Sequence, residues 1–328
     1  MSACPPRFGR IGVFVAVNSE RKAKMYRVAQ LSLQCYLKST AYSFFFVDVD
    51  EDERSRGRCN QTNFYYKRHC VAAHYLKKVD WLLFLDGDIG VVNPDHCIEE
   101  WIDERVDMIF YERFFNWEIM AGSYLMKNTE QSRRFLMEWA ETDGQHFDGF
   151  TGYDNGALQL QILKAALPEA SAEQRACERI YRRSKTQAEY MLYVSCVRVH
   201  LGSVRVFPSV LRIYRRAHGW ARDLVPSGNL WAPSDFMIHG WKANRLGEAT
   251  VFNADVFEEL PDPSQCSRGL DGWKWRADKR IGTEELRQRL AQAERAFARA
   301  YPKVARDLPF VIEPDVADCF PHCEKRPR

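Results

Sequence analysis

Apolar runs and amphipathic stretches alternate along the first half of this chain. "IGVFVAV" (11–17) is a continuous apolar run that predicts a buried strand, and in the stretch 19–39 Met25, Val28, Leu31 and Cys35 recur at helical spacing behind Ser19, a suitable N-cap. "YSFFFVDV" (42–49) predicts a strand, "NFYYKRHCVAAHYLKK" (63–78) a helix and "WLLFL" (81–85) a third strand. "PDHCIEEWID" (94–103) suits a short helix opened by Pro94, and "DMIFYE" (107–112) a further strand. Strands alternating with helices in this way predict a parallel, doubly wound α/β sheet.

The second half is less regular. "EIMAGSYLMKN" (118–128) predicts a strand, "TEQSRRFLMEWAE" (129–141) a helix capped by Thr129, and "DNGALQLQILKAAL" (154–167) a helix starting near Asp154. A charged helical stretch (171–194) precedes strands in "SVRVFPSVLRIY" (203–214) and "DFMIHG" (235–240). Leu286, Leu290, Ala293, Phe297 and Tyr301 form one apolar stripe on a last helix that Pro302 stops.

Composition adds limits. With 328 residues and 46% hydrophobic content, the chain can bury a sizeable core, and a net charge of +3 from 47 basic and 44 acidic residues gives no nucleic-acid-binding signal. No apolar run is long enough to span a bilayer, so the chain as it stands reads as soluble and cytoplasmic unless an anchor is missing. Ten cysteines are too few for a disulfide scaffold; half or more, Cys35 and Cys70 among them, are expected to be ordinary buried thiols. Cys319 and Cys323, with His322 between them, suit a late disulfide better than a zinc site. Asn60 heads an N-x-T triplet that matters only if the chain enters the secretory pathway.

The candidate chemistry lies in "FLDGD" (84–88). Asp86 and Asp88 follow an apolar strand and project to one side, about 6 to 7 Å apart, where they repel unless a cation intervenes. Hard oxygen ligands at a strand's carboxyl end suit Mg²⁺ or Mn²⁺ bridging to a phosphorylated ligand. Asp48 and Asp50 repeat the spacing but run into "EDERSRGR", which reads as a solvated loop.

Two enzyme classes place such a pair after a strand. "FLDGDIG" superficially resembles the opening motif of haloacid-dehalogenase-type phosphatases, but it falls on the third strand and the downstream acidic pair is missing. The order "FLDGD", "MAGSYLMKNT", "GYDNGALQ", "DFMIHGWK", over roughly residues 10–245, resembles the retaining galactosyl-, mannosyl- and xylosyltransferases of the GT-A fold. It looks closer still to an uncharacterised nucleotide-diphospho-sugar transferase-like family. The resemblance implies a Rossmann-like, mixed but mainly parallel sheet flanked by helices in a 10–245 domain, with residues 246–328 as a C-terminal helical extension.

It further implies a metal-dependent glycosyltransferase that moves a hexose or pentose from a nucleotide sugar, UDP-linked by preference, to a hydroxyl acceptor such as a glycan or glycoprotein. A catalytically silent sugar-binding relative is the alternative. Asp86, Asp88 and His239 would hold Mn²⁺ or Mg²⁺. Gly240 would let the backbone approach the diphosphate, to which Lys242 would offer charge. Asp154 and Asn155 would face the donor sugar, although Asp154 also suits a plain N-cap. Gly122 and Ser123 would line the sugar pocket, Ala16, Val17 and Asn18 the nucleoside edge, and Lys67 and Arg68 would reach the base or diphosphate. In the loop 217–235, Trp220 and Trp231 are candidates for acceptor recognition. The family implies the Golgi lumen as compartment.

Overall fold

The structure, a computed structural model, describes residues 4–114, 116–145, 149–150, 152–247, 255–266, 270, 272–301 and 315–323. The first half runs β1 (Ile11–Val17), α1 (Glu20–Met25), α2 (Arg27–Lys38), β2 (Ser43–Asp48), α3 (Phe64–Leu76), β3 (Trp81–Leu85), β4 (Ile89–Val91) and β5 (Met108–Tyr111). There follow β6 (Ser123–Lys127), α4 (Glu130–Ala140), α5 (Tyr153–Ala166), α6 (Ser171–Arg183) and α7 (Gln187–Leu201). The chain continues through β7 (Val206–Phe207), β8 (Leu211–Tyr214), β9 (Ala221–Asp223), β10 (Met237–His239) and α8 (Thr283–Ala300).

Seven strands form a mixed sheet in the order β2-β1-β3-β6-β5-β8-β7. β2, β1 and β3 are mutually parallel, β6 runs antiparallel between β3 and β5, β8 is parallel to β5, and β7 antiparallel to β8. The sheet is therefore mixed but mainly parallel, as expected: β2, β1, β3, β5 and β8 run one way and only β6 and β7 the other. β6 reverses because it enters at the carboxyl end of β3, pairing Ser123 with Leu85 and bringing Gly122 beside Asp86. A second sheet, β4-β10-β9, stands at the same end; β10 is antiparallel to β4 and parallel to β9.

Both faces of the main sheet are covered, which is why β1 and β3 are buried along their whole length. Alternate residues feed two cores: Leu82 and Phe84 join α3, α4, α5 and α7, whereas Trp81, Leu83 and Leu85 join α2 and the small sheet. Full burial of one such side chain contributes about 1.5–3 kcal/mol. The last helix packs Leu286 and Leu290 with Phe114, Ala232, Val316 and Phe320, and Ala293 and Phe297 lie against that cluster. Pro302 lies outside the described residues.

Several elements are shorter or more broken than their periodicity suggested. The helix expected over 19–39 is two, separated by Tyr26, whose ring covers Gly87 while Val28 N bonds Ala243 O at 3.2 Å. Residues 94–103 make a single 3₁₀ turn, Ile98–Trp101. The strand expected over 203–214 bends at Ser209, φ 63°, into β7 and β8, and the 171–194 stretch divides into α6 and α7. Thr129 does cap α4, accepting from Ser132 N at 3.2 Å.

The largest departure concerns the cysteines. All ten are paired, as Cys4–Cys97, Cys35–Cys266, Cys59–Cys70, Cys177–Cys196 and Cys319–Cys323. The expectation of free buried thiols, Cys35 and Cys70 included, is wrong because partners as far as 231 residues apart in sequence meet only in the folded chain. Among the described residues no helix is long and apolar enough to cross a membrane.

Alkylation of the unreduced protein should label no cysteine. Cys35→Ser/Cys266→Ser opens a closed loop of 231 residues and should cost about 2–5 kcal/mol in urea unfolding. A loss below about 1 kcal/mol would show that this bridge does not hold the 255–266 segment to the core.

Candidate metal and ligand site

The carboxylates that close β3 meet the end of β10. Asp86, Asp88 and His239 each offer a ligand atom, and these atoms lie within 4.8 Å of one another. Backbone pairing sets this arrangement: β10 aligns His239 with Ile89 on one side and Asp223 on the other, and Asp88 O accepts from Gly240 N at 3.1 Å and Trp241 N at 3.0 Å. Asp88 is almost fully enclosed, whereas Asp86 and His239 keep some exposure.

Each ring nitrogen of His239 has its own carboxylate. Nδ1 lies 2.7 Å from Asp223 Oδ1, which holds the Nδ1–H tautomer and turns Nε2 toward Asp88 Oδ1 at 3.4 Å. Burial works against charging this imidazole, but Asp88 and the bonds to Asp223 and Asp88 outweigh it and push His239 up to about 10. Asp223, which burial would raise, is held at about 2 by Arg113 and His239. Asp88 is likewise held down by His239 against the effect of burial. Asp86 goes the other way, because burial and the nearby Asp88 exceed the help from Arg68.

Arg68 joins this cluster to a second one. Its guanidinium, 5% exposed, bonds Asp86 Oδ1 with Nη1 and Asp154 Oδ2 with Nη2, at 2.5 Å, and Nε, at 3.1 Å. The planar fork suits a bridge between two carboxylates. Asp154 is not an N-cap: Gly152 holds that position in the left-handed region at φ 63°, and the Asp154 carboxylate turns inward to Arg68 and to His69 Nε2 at 3.1 Å. His69 in turn accepts from Tyr124 OH at 3.0 Å and stacks on Trp139 at 3.5 Å.

Glycines make the close approaches possible. A Cβ on Gly122 would fall 2.0 Å from Asp86 Oδ2, and one on Gly87 2.5 Å from the Tyr26 ring. Gly240 has φ 109°, a conformation costly for other residues, and its Cα faces open space. Lys242, half exposed, places Nζ 3.8 Å from Asp88 Oδ2. Asn18 follows β1 at the neighbouring strand end, its Oδ1 enclosed without a partner. Asn155 Oδ1 accepts from Ala121 N at 3.2 Å.

Other expected residues lie elsewhere or are occupied. Trp220 and Trp231, each 1% exposed, are core side chains and offer no platform to an acceptor. Trp220 Nε1 donates to Ser123 Oγ at 2.8 Å, and Ser123, itself buried, donates to Phe84 O, so this hydroxyl does not line a pocket. Ala16 and Val17 point into the core, and Lys67 pairs with Asp50 at 2.7 Å. Asp48 and Asp50 join no three-donor group among the described residues. Cysteine-containing groups, such as Cys59, Cys70 and His74, have their sulfurs in disulfides.

Sequence reasoning missed Asp223, Arg113, His69 and Tyr26 as parts of this site. Asp223 and His239 are register partners on adjacent strands, and no local motif signals that. His69, next to Arg68 on a helix, was discoverable only as a buried polar residue in an apolar stretch.

The site thus defines a mixed α/β protein with one two-carboxylate, one-imidazole centre at the carboxyl end of its parallel strands. The chain matches the family model described as "Protein of unknown function, DUF273" over residues 33–255, more than half its length, and belongs to that family. No curated protein matches it. It is similar to a solved structure titled "crystal structure of a glycosyltransferase involved in the glycosylation of the major capsid of PBCV-1", at 12% identity, covering 70% of this chain and 93% of that one, with a TM-score of 0.44. So distant a likeness carries no conclusion about this chain.

Gly122→Ala should displace the Asp86 carboxylate and weaken Mn²⁺ binding by about 10–100-fold in calorimetry, with the circular dichroism spectrum retained. Unchanged affinity would remove Asp86 from the centre. His69 supplies a second expectation: burial, reinforced by Arg68 and opposed by the bond to Asp154, holds it at about 4 against an ordinary 6.5. The unfolded chain therefore takes up this proton first. Stability is complete above pH 6.5 and falls toward pH 4, by on the order of 3 kcal/mol from this residue. Urea unfolding at pH 7 and 4.5 should show that this part of the pH slope is missing in His69→Gln.

Proposed function

We propose that this protein is a metal-dependent glycosyltransferase of the GT-A type, which binds a nucleotide diphosphate sugar, UDP-linked by preference, and transfers the sugar with retention to a hydroxyl acceptor. The observation that carries the reading is the meeting of Asp86, Asp88 and His239 within 4.8 Å, with Lys242 beside them. Two carboxylates and an imidazole whose far nitrogen is anchored on Asp223 form a donor set that fits Mn²⁺, with Mg²⁺ as the harder alternative.

Asp86, Asp88 and His239 would hold a divalent cation, which would supply Lewis-acid neutralisation of the diphosphate charge. Lys242, paired with Asp88, adds a positive charge on the same side, a contribution worth most while the leaving group is gaining charge. Gly240 N and Trp241 N are tied to Asp88 O, so the turn that carries Lys242 is fixed to the strand that carries the carboxylates. Asn18, with an enclosed and unpartnered amide oxygen at the next strand end, is assigned to the nucleoside. Arg68 keeps Asp154 ionised and in place beside the donor sugar, and Asn155 follows it on the same helix turn.

Incubation with Mn²⁺ and a panel of nucleotide sugars, followed by assay of released nucleoside diphosphate, tests the proposal. Slow donor hydrolysis is expected with at least one sugar, abolished by chelation and lowered by at least about 10²-fold in Asp88→Ala. Absence of any donor binding or hydrolysis, or full activity in Asp88→Ala, would sink it.

A further inference from the structure

The loop between β2 and α3 carries the single N-x-S/T triplet of the 328 residues, Asn60-Gln61-Thr62. We propose that Asn60 is an N-glycosylation site and that the chain folds in an oxidising lumen. This inference does not rest on the proposed activity. It stands on two independent observations, the state of the cysteines and the setting of the triplet.

All ten cysteines are paired, and no described cysteine is free. A reducing cytosol keeps protein thiols reduced, so a chain whose every cysteine has a partner within bonding reach belongs to a compartment that forms disulfides. The bridges are spread over the whole fold. Cys4–Cys97 ties the N-terminal segment, Cys35–Cys266 the segment after the small sheet, Cys177–Cys196 joins α6 to α7, and Cys319–Cys323 closes a turn near the end. That distribution fits structural bridges and not one redox pair.

In such a compartment the triplet becomes a substrate. Asn60 is itself exposed on an irregular loop, with exposed Gly57 and Arg58 shortly before it and the buried Cys59 and half-buried Gln61 on either side, so its side chain is accessible to a bulky glycan. Asn60 Nδ2 bonds to the anomeric carbon of an oligosaccharide carried on a lipid diphosphate. The carbon–oxygen bond to the diphosphate breaks, the amide loses one proton, and the lipid diphosphate leaves. In the folded chain Thr62 N and Oγ1 are held by Asp143 Oδ2, at 2.7 and 3.3 Å, and Cys59 is tied to Cys70. The triplet is freely extended only before the loop docks, which places the transfer ahead of folding.

The test uses the full protein isolated from the cells that make it. Peptide amidase digestion in ¹⁸O water should lower the mass by one glycan and leave ¹⁸O-labelled Asp at position 60, while alkylation finds the cysteines paired. Asn60→Gln and Thr62→Val, made in the same cells, should lose the mass shift; Asn60→Gln, at an exposed position, should keep the far-ultraviolet spectrum. An unmodified Asn60, a shift that persists in Asn60→Gln, or cysteines found reduced would each overturn the proposal.

Discussion

Repulsion among buried carboxylates is the constraint around which this fold is arranged. Asp86, Asp88, Asp154 and Asp223 converge at the carboxyl end of β3, all of them partly or wholly shielded from water. Left unpaired, each such charge would cost several kcal/mol. The chain compensates with Arg68 between Asp86 and Asp154, His239 between Asp88 and Asp223, Arg113 at 3.8 Å from Asp223, and Lys242 above Asp88. These cations come from three separate parts of the chain, α3, the segment after β5 and the end of β10, so the site and the tertiary structure form together.

The same region explains the antiparallel insertion of β6. Gly122 must lie beside Asp86, and only a strand entering from the carboxyl end of β3 puts it there, with Asp86 N bonded to Gly122 O at 2.7 Å. The small sheet has a matching purpose. β4 leaves directly after the carboxylates, and β10 pairs with it so that His239 returns to the place β3 has just left. Trp241, with no exposed surface, packs where a Cβ on Gly90 would stand and keeps that return in register. Burial of Trp220 and Trp231 likewise anchors the 217–235 loop to the core.

The disulfides add a constraint of another kind. They tie the N-terminal segment to the turn after β4 and the 255–266 segment to α2, where the apolar burial available to short, irregular stretches is small. The Arg-rich cluster around Asp315, which Arg205, Arg215 and Arg216 approach, does the same electrostatically for the chain after α8.

Much of the fold and part of the site were legible in the sequence. The continuous apolar runs at 11–17 and 81–85 determined the buried strands, and amphipathic spacing determined α4 and α8, because burial on one or both faces imposes a composition that local inspection can read. The Asp86–Asp88 pair was visible as an electrostatic anomaly, and four motif blocks in order linked it to His239. Tertiary structure alone decided the rest: that Asp154 turns inward, not onto its helix, that Asp223 orients His239, that Trp220 and Trp231 are buried, and that all ten cysteines find partners. Each of these depends on residues distant in sequence being brought within a few ångströms, and neither periodicity nor spacing carries that information.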